Sequence, residues 1–216
     1  KITCPTNSTY EKFKKLKIFS EDKLEILYDP IISVKKINKK KLEEIDEKFR
    51  NEDFILGIGR LTKQKNFKFL IKSFYEINLR FPKLKLVILG EGEERAVLEK
   101  LINNLELKGK VFLEGHKKNV FNYIYRSKCF VSSSLYEDPG FVIIEAGFLN
   151  KIVFAADSNT GPTEILNSSN NGLLFKNNDK NSLVNQYLVF KKLSSEKLMN
   201  KKINLKKFSK NFSVFN

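Results

Sequence analysis

Glu137 and Glu145 stand in the run Ser133-Ser134-Leu135-Tyr136-Glu137-Asp138-Pro139-Gly140-Phe141-Val142-Ile143-Ile144-Glu145-Ala146, with seven residues and a Pro-Gly turn between them. The apolar stretch after Gly140 reads as a helix, so one carboxylate lies just before its N-terminus and the other further along it. A helix start that opens on glycine offers free backbone N–H groups and the positive end of the helix dipole, which suits phosphate. Carboxylates on either side can accept hydrogen bonds from hydroxyls. Phosphate plus polyol is the chemistry of a nucleotide sugar. Each acid also has an ordinary structural use, Glu137 as an acid favoured by the helix dipole and Glu145 as an ion-pair partner. Glu145, however, lies between Val142-Ile143-Ile144 and Ala146-Gly147, where an unpaired charge is costly; a ribose diol would supply a partner.

A second loop reads Gly57-Ile58-Gly59-Arg60-Leu61-Thr62-Lys63-Gln64-Lys65-Asn66. Its glycines let the backbone come close to a ligand. Arg60 as a planar fork and Lys65 as a point charge would together neutralise a diphosphate. The plain alternative is a strand-to-helix turn with solvated cations, and the loop matches neither a Walker loop nor a full dinucleotide fingerprint. Gly90-Glu91-Gly92-Glu93 reads as a permissive turn without a chemical role. His116, the one histidine, is expected to be a surface residue rather than a base. In Asp157-Ser158-Asn159-Thr160-Gly161-Pro162-Thr163-Glu164 a polar loop leads into a short helix, and Glu164 is expected to cap rather than to hold a ligand.

The elements that must position these loops alternate. Strand-like apolar runs occupy 54–58, 84–89, 110–114, 129–132, 151–155 and 172–175. Amphipathic helices are expected over 67–79, 94–105, 120–126, 141–149 and 181–192, with Asn150 closing the fourth in a left-handed conformation that Asn tolerates. Continuously apolar strands between helices mean a parallel sheet covered on both faces. The predicted fold class is α/β, a Rossmann-like doubly wound sheet whose ligands sit beyond the carboxyl ends of the strands; the polar clusters above all fall in those loops. Residues 1–35 carry two short strand-like runs around a Lys-rich helix, too little for an independent core, and are expected to be the remnant of an N-terminal domain. Residues 36–52 read as a charged linker, 53–193 as the nucleotide-sugar-binding domain, and 194–216 as a Lys-rich helical tail.

Composition narrows the partners. The chain has 216 residues, 41% hydrophobic, with a net charge of +15; five of its 40 basic residues are Arg and the rest Lys. The lysine excess reads first as solvated helix faces and second as attraction to anionic partners. With Arg scarce and no recognition motif, no nucleic-acid partner is expected. Cys4 and Cys129 make no disulfide framework, no metal-ligand spacing occurs, and no apolar run reaches the ~20 residues of a membrane span. A cytoplasmic protein is expected, with its lysines favouring the inner face of the cytoplasmic membrane. The sequons at Asn7 and Asn167 are treated as chance in an Asn-rich chain.

The ordered set of motifs resembles the C-terminal, donor-binding domain of the group 1 glycosyltransferases, a retaining family with the GT-B fold. The matching pieces are Gly59-Arg60-Leu61 with Lys65, Leu89-Gly90-Glu91-Gly92, Val111 to Gly115, Ser133-Ser134, Glu137 through Glu145, Gly161-Pro162-Thr163-Glu164 and Asn171 to Phe175. The resemblance implies that Arg60 and Lys65 hold the donor diphosphate and offset charge on the leaving group. Glu145 would bond the ribose hydroxyls and Glu137 the transferred sugar, with backbone amides near Gly140, Phe141 and Val142 lining sugar and phosphates. It implies a nucleotide-diphosphate sugar as donor, UDP being favoured, and no cofactor and no metal. The acceptor would be a glycan or lipid-linked sugar in surface polysaccharide or lipopolysaccharide synthesis. Two departures stand out: Asp138 replaces a usual Gly and is expected to alter donor preference, and Asn150 replaces the Gly before the fifth strand. The acceptor domain is expected to be missing, so the chain alone should bind donor weakly and transfer nothing measurable. The alternatives are a sugar-nucleotide epimerase of the same architecture and a non-catalytic basic module for nucleic acid or anionic lipid.

Overall fold

The computed structural model of the chain describes residues 1–158 and 160–214. Asn159 of the polar loop lies outside the described residues.

Six parallel strands form the central sheet: β3 (Phe54–Ile58), β4 (Lys85–Leu89), β5 (Val111–Leu113), β6 (Cys129–Ser132), β7 (Val153–Asp157) and β8 (Leu173–Lys176). The preceding β1 (Ile2–Cys4) and β2 (Leu24–Ile26) pair parallel with each other in a separate small sheet. In the large sheet the order is β5-β4-β3-β6-β7-β8, so strand order reverses between β3 and β6, and that switch point is where an α/β sheet opens a crevice. The register there runs Ile55 to Cys129 and Leu56 to Phe130.

Alternation along each buried strand feeds two cores. Ile55, Leu86, Ile88, Val131, Phe154 and Phe175 point to one side. There they meet α3 (Phe67–Arg80), α4 (Arg95–Asn104) and α8 (Lys180–Lys192). Phe54, Leu56, Val87, Leu89, Phe130 and Ala155 point to the other, covered by α5 (Phe121–Arg126), α6 (Phe141–Phe148) and α7 (Gly161–Leu166). Strands apolar on both faces follow from this double cover.

The charged segment expected as a linker contains α2 (Val34–Lys40) and a 3-10 turn over Glu47–Phe49; Ile37, Ile45 and Phe49 are buried in the second core. The Lys-rich C-terminal segment forms α9 (Ser195–Ser209), capped by the Ser194 side chain, and buries Leu205. It packs so closely on α6 that a Cβ on Gly147 would stand 2.4 Å from Leu205 Cγ. Beyond α9 the chain runs beside the entry to the Rossmann unit: Ile32 N–H donates to Phe212 O at 2.8 Å and Val214 N–H to Ile32 O at 2.9 Å. Between β1 and β2 lies α1 (Asn7–Leu16), capped by Thr6. Among the described residues no helix is long and apolar enough to cross a membrane.

Candidate functional site

The loops after β3 and β6 meet at the switch point and are stitched together. Ser133 Oγ donates to Lys65 O at 2.8 Å, Leu135 N–H to Gln64 O at 2.8 Å, and Gln64 Nε2 to Tyr136 O at 3.0 Å. These bonds bring Lys65 against Glu137, which form an ion pair with side chains 20% and 14% exposed. Ser134 Oγ donates to the same carboxylate oxygen of Glu137 at 2.7 Å. Two residues 72 positions apart in sequence thus meet with both side chains mostly buried.

Gly140 opens α6 with a φ of 93°, a left-handed conformation that suits glycine. Among the described residues no side chain caps this helix. The first-turn N–H groups of Phe141 and Val142 are among those an α-helix leaves without an internal partner. Lys65, Glu137, Gly140, Phe141 and Val142 line one recess of ≈ 30 Å³ together with Ile58, Phe130 and Ser132. Cation, carboxylate and helix N-terminus converge there on a space small enough for a few ligand atoms.

Arg60 stands apart from this recess. It is exposed and lines a neighbouring cavity of ≈ 490 Å³ with Ile58, Gly59, Gly90, Glu91, His116 and Lys117. Ile58 borders both spaces, so the two form adjoining compartments at the carboxyl ends of β3, β4 and β5. His116 is exposed, as its loop position suggested, yet it walls this cavity. Its sequence signal was only its place after a strand.

Glu145 follows Val142 by three residues on the same face of α6 and lines neither compartment. Among the described residues it makes no ion pair, and burial pushes its carboxyl up to about 7, opposed by the charge of Lys36 on α2. The ion-pair alternative weighed for it is therefore not realised. A half-buried acid without a partner among the described residues is suited to accept hydrogen bonds from hydroxyls.

Asp138, the residue expected to alter donor preference, reaches toward the N-terminal segment. Its two carboxylate oxygens accept the hydroxyls of Thr6 and Thr9 at the start of α1, so its polar atoms are committed to the N-terminal segment. Glu164 does cap, but the helix is α1 rather than its own: its oxygens accept Asn7 N–H at 3.1 Å and Ser8 N–H at 2.9 Å. Sequence reasoning had no local signal for either contact, each spanning more than half the chain. Asn150 adopts a φ of 58° after α6, the left-handed conformation that its residue type tolerates.

Residues 38–210 match the family model described as glycosyl transferases group 1. An uncharacterized glycosyltransferase of Methanocaldococcus jannaschii is 41% identical over 140 residues, 63% of this chain and 34% of that protein. The N-acetylgalactosamine-N,N'-diacetylbacillosaminyl-diphospho-undecaprenol 4-alpha-N-acetylgalactosaminyltransferase of Campylobacter jejuni is 36% identical over 164 residues, 76% of this chain and 43% of that protein. The match thus covers less than half the length of either curated relative. Among solved structures, Anabaena HepE in complex with UDP and glucose superimposes with a TM-score of 0.76 at 18% identity, covering 98% of this chain and 58% of that one. At that identity the likeness is one of fold.

Proposed function

Because this chain belongs to the glycosyl transferases group 1 family and carries the Rossmann-like, C-terminal half of a GT-B fold, we propose that it is the donor-binding part of a glycosyltransferase. In this reading it holds a nucleotide-diphosphate sugar, UDP before other nucleotides, for retaining transfer of a hexose or N-acetylhexosamine. The acceptor is a glycan or lipid-linked sugar in surface polysaccharide or lipopolysaccharide synthesis. The Campylobacter jejuni relative, named as an N-acetylgalactosaminyltransferase acting on a diphospho-undecaprenol-linked sugar, and the UDP in the HepE structure support this assignment. The lysine excess, with a net charge of +15, supports residence at an anionic inner membrane face.

The observation that carries the reading is Glu145, a half-buried carboxylate without a partner among the described residues, one helical turn from the Lys65–Glu137 recess. A ribose diol donates two hydroxyl hydrogens to it and restores the charged form. The diphosphate then lies across the start of α6, where the Phe141 and Val142 N–H groups and the helix dipole meet negative charge. Arg60 and Lys65 flank it, and the ion pair of Lys65 with Glu137 opens as Lys65 turns to phosphate and Glu137 to sugar hydroxyls.

Chemically these groups stabilise a leaving nucleotide diphosphate. As the glycosidic C–O bond lengthens, charge grows on the phosphate oxygens, and preorganised cations and amides lower the barrier by meeting it there. Neither glutamate needs to move a proton; both hold the donor. With two side-chain cations and a helix end in place, donor binding is expected to be indifferent to a metal chelator. An epimerase would use the same pocket, and product analysis separates the two.

Calorimetry with UDP, GDP and ADP against wild type and Glu145→Ala tests the assignment. A nucleotide that binds wild type and loses at least about ten-fold in affinity with Glu145→Ala supports it, on the loss of hydrogen bonds to a charged group. Absence of nucleotide binding, or binding untouched by the substitution, rejects it.

A further inference from the structure

We propose that Asp138 is a positioning residue that ties the sugar-holding loop to the N-terminus of α1, so that the N-terminal unit sets how Glu137 meets the donor sugar. This rests on the donor-site reading above. Asp138 Oδ1 accepts the Thr6 hydroxyl at 2.8 Å, and its other oxygen accepts the Thr9 hydroxyl. Thr6 itself is buried, at 1% exposure, and caps α1 by accepting Thr9 N–H at 3.1 Å. Across the same helix end, Glu164 accepts Asn7 N–H and Ser8 N–H. Two carboxylates of the Rossmann unit, one from the loop before α6 and one from α7, therefore grip one helix start, whose free N–H groups and positive dipole end favour both.

The grip bears on the donor site through covalent neighbourhood. Asp138 directly follows Glu137, whose side chain is held on the other flank by Lys65 and Ser134. On the α7 side the loop is wedged as well: a Cβ on Gly161 would stand 2.3 Å from Pro139 O. Glu137 thus sits between its own side-chain anchor inside the pocket and the side-chain anchor of its neighbour Asp138 on α1. When Lys65 turns to phosphate, the anchor inside the pocket loosens and the α1 tether remains to fix the direction of the glutamate. A helix in the unit that carries β1 and β2 thereby gauges the sugar-contacting half of the site, while the nucleotide half, built on Arg60, Glu145 and α6, is independent of it.

That split is what distinguishes positioning from simple cap stability. The variants are Asp138→Ala, Thr9→Val and their combination, titrated calorimetrically with UDP and with UDP-glucose, UDP-galactose and UDP-N-acetylglucosamine, using the tightest sugar nucleotide. The expected result is UDP affinity within two-fold of wild type but an advantage of sugar nucleotide over UDP reduced roughly five-fold, with the double variant no worse than Asp138→Ala alone, as residues in one network couple. Hydrogen exchange of the 135–140 amides should quicken in each variant while α3 and α4 keep wild-type rates. An unchanged sugar-to-UDP ratio, or equal losses for UDP and sugar nucleotide, overturns the proposal. If Glu145→Ala leaves nucleotide binding intact, the donor-site reading fails instead, and the exchange measurement still decides the tether: unaltered rates over 135–140 in Asp138→Ala overturn it.

Discussion

The backbone of Gly90 passes so close to Gly59 that a Cβ on Gly90 would stand 1.9 Å from the Gly59 carbonyl oxygen. Gly59 N–H donates to Leu89 O at 3.0 Å and Gly90 N–H to Gly115 O at 2.8 Å, so the tips of three strands lock together beside Arg60. The φ of Gly90 is 141°, a value that side chains rarely adopt. Gly90→Ala is expected to destabilise the fold by about 3 kcal/mol, through combined overlap and backbone strain. Denaturant unfolding measures this, and a change under about 1 kcal/mol would show that the loop relaxes freely.

Glu145 makes stability depend on pH. Its folded-state pKa of about 7 lies above its ordinary value of 4.5, so the protonated form is favoured by folding. Its contribution is complete below pH 4.5 and is lost as pH rises through about 7, a swing on the order of 3 kcal/mol. Glu145→Gln should therefore stabilise the chain at pH 8 relative to wild type and hardly alter it at pH 5. Melting temperatures of both proteins from pH 5 to 8 check the sign; parallel curves would refute it.

Nucleotide binding should show the opposite trend. A ribose diol donates to the carboxylate form, so UDP affinity is expected to rise with pH through about 7 and to release a proton. The pH dependence should vanish in Glu145→Gln. Calorimetry in buffers of different ionisation enthalpy reads the proton directly, and proton uptake on binding would contradict the assignment.

Lys65 and Glu137 are both mostly buried, at 20% and 14% exposure. Removing one leaves the other's charge poorly compensated, so Lys65→Met should cost about 3 kcal/mol. Adding Glu137→Gln should recover most of that loss without recovering donor binding. Losses that simply add in the double variant would mean that the pair is not coupled.

Both cysteines are buried, and burial pushes the Cys129 thiol up to about 12. Thiolates are the reactive form. Native protein is expected to react with a thiol reagent only as fast as it opens, and both thiols should titrate at once in denaturant. Rapid reaction of Cys129 under native conditions would place it at a mobile surface.

The sheet was legible because its strands are apolar on both faces, a pattern that amphipathic strands lack. Ordered motifs marked Lys65, Glu137 and Gly140 to Val142 as neighbours, and the β3–β6 adjacency brings them into one recess. Two features were hidden. The lysines of α9 and α2 masked the one buried apolar residue of each, Leu205 and Ile37, that holds the helix to the core. The partners of Asp138 lie 132 and 129 residues away, and a carboxylate that bonds distant threonines looks in sequence like any exposed loop acid. Local periodicity reports which face is buried; it carries no record of which remote backbone arrives there.

The adjacency of β3 and β6 also has a bearing on how the chain assembles. The β3–α3–β4–α4–β5 run can collect its contacts locally, whereas the meeting of Lys65 with Glu137 closes a loop of 72 residues and bears the entropy of that closure. The recess therefore comes into being only when the two halves of the sheet have joined. Ligand capture is in this sense a clock for folding: a partly folded chain can possess every helix and still offer nothing for a nucleotide to hold.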